Sequence, residues 1–587
     1  MIDPMNEITQ FSPCAGKLLL EVIPGDTSGK REAENEAAAG TGSERSMYAY
    51  APRSGCPDSK QCQVLMVLRD GDDEASAYEA MKRLKLDELA EENHFLLLFP
   101  NPSVQGWNYH NDPGREDDMS YLVRCFASLR TSKGGINGFN GMTFYIADSE
   151  AASAMLMTFA ALRPINVPAI MIGQFPGDYT IPADALNVEV AAYVSGNDTA
   201  IRYLKEANGV SGEETADGVT TCFGSNPNVR LLTTDRTLDA DAVSIAWERL
   251  FSESRRWQND TNGTYQARPN FTERGFVGHV NDTSLGCNNG YAHTWYEYIP
   301  PQLRGTDEKV PLLFYFHGGS CVPLYGAEQS CWHDIADREN FIVVYPKASK
   351  NKAWNSFCDP GVPSDVEFVL ALIEHMKEVH PIDDSRIYIS GFSSGSMMTQ
   401  ALASLHPERF AAAAPCNAHH APYLMTTACM NQLRKTGMSA RILPDPDGNV
   451  SPTRTMADEK KRRFDYRMPV FQVFGQLDLA WPIANVEDGR LATIEYWKRY
   501  NNTSNAPFIQ NESCESGLFA DENFYDGDDE RFLHQRWFSN DQNRASYYEV
   551  FLAKRCPHAL DLRTTEYAWK FMKQFSRNPD GTLTVAE

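Results

Sequence analysis

Arg386-Ile-Tyr-Ile-Ser-Gly-Phe-Ser-Ser-Gly-Ser-Met-Met398 is the stretch from which the rest of the chain is read. Arg386 to Ile389 is a short β-branched and aromatic run, the pattern of a strand. Near Met397 begins a segment rich in Ala and Met that reads as a helix. Between them, Gly391-Phe-Ser-Ser-Gly395 fits G-x-S-x-G. The glycines permit a sharp, strained turn, which lifts the Ser393 hydroxyl above a sheet at the amino end of a helix. The pentapeptide alone recurs by accident in long chains. A strand before it and a helix after it give it chemical meaning, and Ser393 reads as a nucleophile.

A serine attacks only when a base takes its proton and an acid orients that base. In this setting they follow in the order Ser, Asp or Glu, His. Asp478 comes just after the β run Val470-Phe-Gln-Val-Phe474, within Gly475-Gln-Leu-Asp478. A carboxylate at the C-terminal edge of a strand faces the crevice where α/β sheets bind ligands. His558, in Arg555-Cys-Pro-His558, follows the β run Tyr547 to Leu552 and precedes the last helix. Taken singly, Asp478 also reads as a turn cap and His558 as a surface histidine; their order argues for a triad. The oxyanion of a tetrahedral intermediate needs two backbone N–H donors. One is expected from Ser394. The other is expected from the loop after the strand Leu312 to Phe316, His317-Gly318-Gly319-Ser320, with Gly319 the first choice and Ser320 the second. An ordinary glycine turn is the plainer account of that loop.

Working outward, the same pattern occurs twice. Thr143-Phe-Tyr-Ile-Ala-Asp-Ser-Glu-Ala-Ala-Ser-Ala-Met155 through Pro164 lies without a gap on Arg386 through Pro407. Leu89 to Pro100 parallels Ile335 to Pro346, Gly106 to Gly114 parallels Ala353 to Gly361, Met47 to Pro52 parallels Trp295 to Pro300, and Ile245 to Phe251 parallels Tyr567 to Lys573. The matches are collinear, as a tandem duplication requires. In each copy short β runs such as Leu312 to Phe316 alternate with longer amphipathic segments such as Val366 to Val379. That alternation predicts a mainly parallel sheet with helices on both faces. The expected domains are 15–255 and 291–587, joined by a polar, Gly- and Asn-rich stretch at 256–290 that suits a linker or an added outer strand. Pro24 to Arg45 reads as a mobile loop.

The first copy lacks the chemistry. Glu150 falls opposite Ser393, Asp148 and Ala152 opposite the elbow glycines, and Arg69-Asp70 opposite His317-Gly318. Counted back from the paired tryptophans Trp247 and Trp569, Arg236 falls opposite His558; only the acid has a counterpart, Asp198. Ser149 is one residue off, which on a tight turn aims its hydroxyl elsewhere. Without nucleophile and base, triad catalysis is closed to this copy. It is expected to be a degenerate domain that packs on or caps the active one, with a retained ligand site as the alternative.

From Trp295 to Phe575 the chain resembles the esterase family of polyhydroxybutyrate depolymerases and feruloyl or acetylxylan esterases. The residues that carry the resemblance begin with Tyr296-Glu-Tyr-Ile-Pro300, Phe316-His-Gly-Gly319, Phe341-Ile-Val-Val-Tyr-Pro346 and Pro381-Ile-Asp-Asp-Ser-Arg-Ile-Tyr388. They continue through the elbow, Phe410-Ala-Ala-Ala-Ala-Pro415, Gly475 to Asp478, and His558 with Trp569 beyond it. The resemblance implies an α/β-hydrolase fold with Ser393 as nucleophile, Asp478 as orienting acid and His558 as general base. It implies cleavage of a carboxylic ester through an acyl-enzyme without a cofactor, and leaves the substrate open. The stretches 417–468 and 488–543 look longer than that family's core and are expected to project over the crevice as a lid. His317, Ser320, Trp354 and His419 are the candidates for lining the pocket; for Trp354 the repeat partner Trp107 makes packing an equal alternative. His419 and His420 are adjacent and no H-E-x-x-H or Cys/His cluster accompanies them, so no metal is expected. His375 and His380 read as solvent-facing.

The composition agrees. A chain of 587 residues exceeds one hydrophobic core. Its net charge of -24 argues against nucleic acid and against an anionic membrane surface. No run approaches the roughly 18 apolar residues of a membrane-spanning helix. The 13 cysteines form no CxxC pair, so free thiols in a reducing cytoplasm are the simplest expectation, and Met1 to Gln10 does not read as a secretory leader. The expected substrate is a small or polymer-derived ester of feruloyl, acetyl or hydroxyalkanoate type. A peptidase or amidase, an acyltransferase with the same triad, and a non-catalytic two-domain binding protein remain open as alternatives.

Overall fold

Short aliphatic runs become central strands when both sheet faces are covered, which is why they read as continuous rather than alternating apolar sequence. Val64–Leu68 and Val310–Phe316 are such runs, buried at every residue. In the computed structural model, residues 3, 5–25, 44–349, 353–356, 361–418, 466–478, 493–494, 496–503 and 520–586 are described. They fall into two units, Met1–Asn270 and Phe271–Glu587.

The first unit holds a ten-stranded sheet of β1 (Leu19–Ile23), β2 (Arg45–Tyr50), β3 (Val64–Leu68), β4 (Leu96–Pro100), β5 (Thr143–Ala147), β6 (Ala169–Ile172), β7 (Ala191–Ser195), β8 (Gly212–Ala216), β9 (Val219–Phe223) and β10 (Arg230–Thr234). The second holds another ten-stranded sheet: β11 (Val277–Asp282), β12 (His293–Tyr298), β13 (Val310–Phe316), β14 (Ile342–Pro346), β15 (Ile382–Phe392), β16 (Ala412–Cys416), β17 (Val470–Gly475), β18 (Glu522–Asp526), β19 (Phe532–Trp537) and β20 (Tyr548–Ala553). Across the first sheet the order is β1-β2-β4-β3-β5-β6-β7-β10-β9-β8, and across the second β11-β12-β14-β13-β15-β16-β17-β20-β19-β18. The two orders are the same permutation. In both, the central strands are parallel and the outer pairs antiparallel. Each sheet carries helices, giving the α/β class.

Individual contacts repeat as well. Trp247 stacks on Phe95 with ring centroids 4.1 Å apart, and Trp569 stacks on Phe341 at 4.1 Å. Trp107 Nε1 donates to Arg69 O at 2.9 Å, and Trp354 Nε1 to His317 O at 2.7 Å. The Asn108 N–H donates to Asp118 Oδ2 at 2.6 Å, and that of Asn355 to Asp365 Oδ2 at 2.6 Å. Arg256 Nη1 reaches Val167 O and Arg577 Nη2 reaches Phe410 O, each at 3.0 Å. A buried polar group must find a partner, and both units meet that need with the same kinds of bond.

Several expectations need correction. Of the two readings of 256–290, a linker or an added outer strand, the paired strands within it correspond to the second. Ser254–Trp257 pairs with Thr264–Ala267 in the first unit, where Arg256 is fully buried. Val277–Asp282 then forms the outer strand β11 of the second. Its polar composition hides this because the buried arginine is satisfied by backbone carbonyls and an edge strand keeps one side in water. The 488–543 stretch is not all lid. Its strands β18 and β19 close the far edge of the sheet, as β8 and β9 do in the first unit, and Ile494, Tyr496, Trp497 and Tyr500 lie in the core. Charged residues on the exposed strand Glu522–Asp526 mask the strand pattern. Nor do His375 and His380 simply face solvent: His380 Nε2 lies 3.1 Å from the buried Glu297 carboxylate, and the His375 ring is 5.8 Å from that of Trp295. Most of 417–468, and of the loop Pro24 to Arg45, lies outside the described residues.

Candidate active site

Ser393 joins β15 to the helix Ser394–Leu405 with φ +54° and ψ -117°, a left-handed backbone that a non-glycine residue adopts only under constraint. The flanking glycines are demanded by space. A Cβ on Gly391 would stand 2.5 Å from Gly395 O, and one on Gly395 would stand 2.0 Å from Phe316 O. The first helical turn can therefore lie directly on the end of β13. The Ser393 N–H donates to Cys416 O at 2.9 Å, tying the elbow to the next strand.

The acid and base loops extend the β17–β20 pairing. The Gln476 N–H donates to Ala553 O at 3.0 Å and the Leu477 N–H to Cys556 O at 2.8 Å. Gln476 Oε1 accepts from the Arg555 N–H at 2.8 Å, where the chain turns through φ +57°. Gly475 is glycine because a Cβ there would lie 2.6 Å from both Cys556 O and Pro557 O. So held, His558 Nδ1 is 2.8 Å from Asp478 Oδ2, and His558 Nε2 is 3.0 Å from Ser393 Oγ. A carboxylate only accepts, so Nδ1 carries the proton and Nε2 is left to accept from the serine hydroxyl. Asp478 is buried and His558 remains partly open to solvent.

The loop His317–Ser320 lies against this elbow. A Cβ on Gly318 would be 3.6 Å from Ser393 Cβ, and one on Gly319 would be 3.5 Å from Ser394 Oγ. Gly319 and Ser320 are exposed at the loop tip, and Ser320 has φ +58°. Gly319 thus lies against Ser394, and Gly318 against Ser393. His317 and Trp354 lie beneath the loop rather than at its exposed tip. His317 is buried, its Nδ1 lies 2.8 Å from Gly318 O, and its Nε2 accepts the Ala348 N–H at 3.1 Å. The buried Trp354 holds the His317 carbonyl. Both residues shape the loop from below; long-range backbone bonds decide this, and motif spacing does not reveal them. His419 lies outside the described residues. Gln476 and Asn417, which bonds to Ala559 O, were not singled out by sequence. Gln476 sits inside the motif that delivers Asp478, and that placement was the available signal.

The corresponding place in the first unit is built differently. Its helix Glu150–Leu162 starts one residue earlier relative to the match, and Ser149 caps it with φ -157°, accepting from the Ala152 N–H at 3.0 Å and donating to Asp70 Oδ1 at 2.6 Å. Glu150 is exposed. The Ser195–Thr234 register reproduces Gly475–Ala553, which sets Asp198 in the place of Asp478. Arg236 is not a clean counterpart of His558. The segment from Thr234 to Trp247 is shorter than that from Ala553 to Trp569, so the first unit has no loop of matching length at this place.

Residues 293–442 match the family model described as Esterase PHB depolymerase. That stretch includes Ser393 and the loop His317–Ser320; Asp478 and His558 lie beyond it. The bifunctional acetylxylan esterase/xylanase XynS20E of Neocallimastix patriciarum is 37% identical over 120 residues, covering 20% of this chain and 17% of that protein. The poly(3-hydroxyalkanoate) depolymerase C of Paucimonas lemoignei is 32% identical over 142 residues, covering 23% and 33%. Feruloyl esterase B of Talaromyces funiculosus is 28% identical over 124 residues, covering 20% and 34%. The chain therefore spans no more than 34% of the length of these curated relatives. Among solved structures, an acetyl xylan esterase from Aspergillus awamori aligns at 13% identity over 51% of this chain and 99% of that one, with a TM-score of 0.37.

Proposed function

We propose that the second unit is a serine esterase that cleaves carboxylic esters through an acyl-enzyme on Ser393, and that the first is a degenerate copy of the same domain. The observation that carries this is the hydrogen-bonded line from Asp478 through His558 to Ser393 on a strained elbow. His558 Nε2 takes the hydroxyl proton as Oγ attacks the ester carbonyl, and the Asp478 carboxylate holds the imidazole and stabilises its cationic form. The N–H groups of Gly319 and Ser394 receive the oxyanion. His558 then protonates the departing alcohol, and water clears the acyl group by the same steps reversed. The esterases and depolymerases that this chain resembles suggest feruloyl, acetyl or hydroxyalkanoate esters, small or polymer-derived.

Ser393→Ala is expected to lower hydrolysis of a short activated ester roughly 10⁴-fold or more, with thermal unfolding unchanged. A fluorophosphonate is expected to label wild-type Ser393. Wild-type-level turnover in the variant overturns the reading, and peptide turnover exceeding ester turnover replaces it with an amidase.

A further inference from the structure

The triad residues stand on separate loops, and each must be held to a fraction of an ångström for the proton to pass. The question is what couples those loops. The Ser393 elbow hangs from the Cys416 carbonyl at 2.9 Å. The next residue, Asn417, is buried with φ +53°. Its N–H donates to Val473 O at 3.0 Å, on the strand that delivers Asp478. Its Nδ2 donates to Ala559 O at 2.7 Å, immediately after His558. Two consecutive residues, Cys416 and Asn417, thus touch the nucleophile, acid and base segments in turn.

His558 needs such a tether. Upstream, Cys556 O and the Arg555 N–H are bonded to the acid loop. Downstream, Ala559 O takes the Asn417 amide, with the Cys556 thiol, a weak donor, at 3.5 Å from the same carbonyl. Asparagine suits the place twice over: it tolerates the left-handed backbone and its amide supplies the donor. Continuing the ungapped match, the first unit has Gln174 here. Its amide turns to Gly196 O, on the acid loop, where the segment matching the histidine loop is shorter.

We propose that Asn417 is the positioning residue of the catalytic base, fixing the His558 loop to the strands that carry Asp478 and Ser393. This rests on the esterase reading above. Asn417→Gly keeps a backbone glycine adopts freely and removes only the amide. Titration with a fluorophosphonate counts functional sites, and turnover of a short activated ester is then expressed per titrated site. The expected result is full titration, KM within about twofold, and kcat per site lowered roughly 10- to 100-fold, with slower labelling. Asn417→Asp, of the same shape but with oxygen in place of the donor nitrogen, is expected to lose as much. Turnover per site within about twofold of wild type in either variant overturns the proposal. So does a loss that appears only as fewer titratable sites, which is what a merely structural role gives. A wild-type chain that neither takes the label nor hydrolyses the ester overturns the esterase reading instead.

Discussion

At Ser149 the chain enters its helix through an ordinary cap, and at Ser393 it enters the matching helix through a left-handed turn without a side-chain cap. A serine cap contributes about 1 kcal/mol. A strained non-glycine φ costs about 1–3 kcal/mol. The second unit therefore carries a local cost that the first avoids, although both keep the same sheet, the same stacked tryptophan and the same tryptophan-to-carbonyl bond. At this turn the strain is found only in the second unit. The scaffold common to both units rests on bonds that are buried and costly to lose.

This contrast is open to direct attack. If the scaffolds are equivalent, Trp247→Ala and Trp569→Ala each cost about 3–5 kcal/mol, measured by urea unfolding of the full chain. A large loss at one tryptophan alone breaks the equivalence.

The elbow sharpens it next. Ala152 is buried in the first unit at the place of Gly395, yet Gly395→Ala meets the Phe316 carbonyl. That substitution is expected to cost about 1–3 kcal/mol and most of the esterase activity, whereas Ala152→Gly costs only about 1 kcal/mol. Similar costs at the two positions, or an active Gly395→Ala, contradict this account of the turn.

The paired aspartates differ in their surroundings. Asp118 meets Arg45, whereas Asp365 accepts from the neutral donors Asn355 N, Ser349 N and Ser349 Oγ. Burial pushes the Asp365 carboxyl from its ordinary 3.8 up to about 6. Folded Asp365 keeps its proton over a range in which the unfolded chain releases it, so its contribution to stability falls as pH rises from near 4 through about 6. The stability difference between wild type and Asp365→Asn is expected to change by about 2–3 kcal/mol between pH 4 and 7, in favour of the variant at pH 7. A pH-independent difference refutes it. The smallest effect is expected at Glu150→Ser, which gains no ester turnover, because the matching segment before Trp247 is shorter and holds no histidine.

Much of this was legible in one dimension. Ser393, Asp478 and His558 were readable because each follows an apolar run at the end of a strand, and the repeat made the fold class readable twice. The place of His317 was not, because a side chain next to a loop glycine faces substrate or core according to backbone partners dozens of residues away, whereas the packing alternative for Trp354 was readable from its repeat partner Trp107. The stretch 488–543 misled for a related reason: edge strands are half solvated and look polar, whatever sheet they join. Arg236 misled because counting back from a tryptophan assumes a loop of constant length.

By itself, then, the sequence determined which residues are available for chemistry and that the domain pattern occurs twice, since strand periodicity, glycine spacing and self-similarity are local properties. The tertiary structure alone decided which loops face each other, that His558 stands 3.0 Å from Ser393, and that Asn417 lies among the three triad segments. Such distances are set by strand register and by the buried hydrogen bonds between chain segments far apart in sequence, and local composition does not encode them.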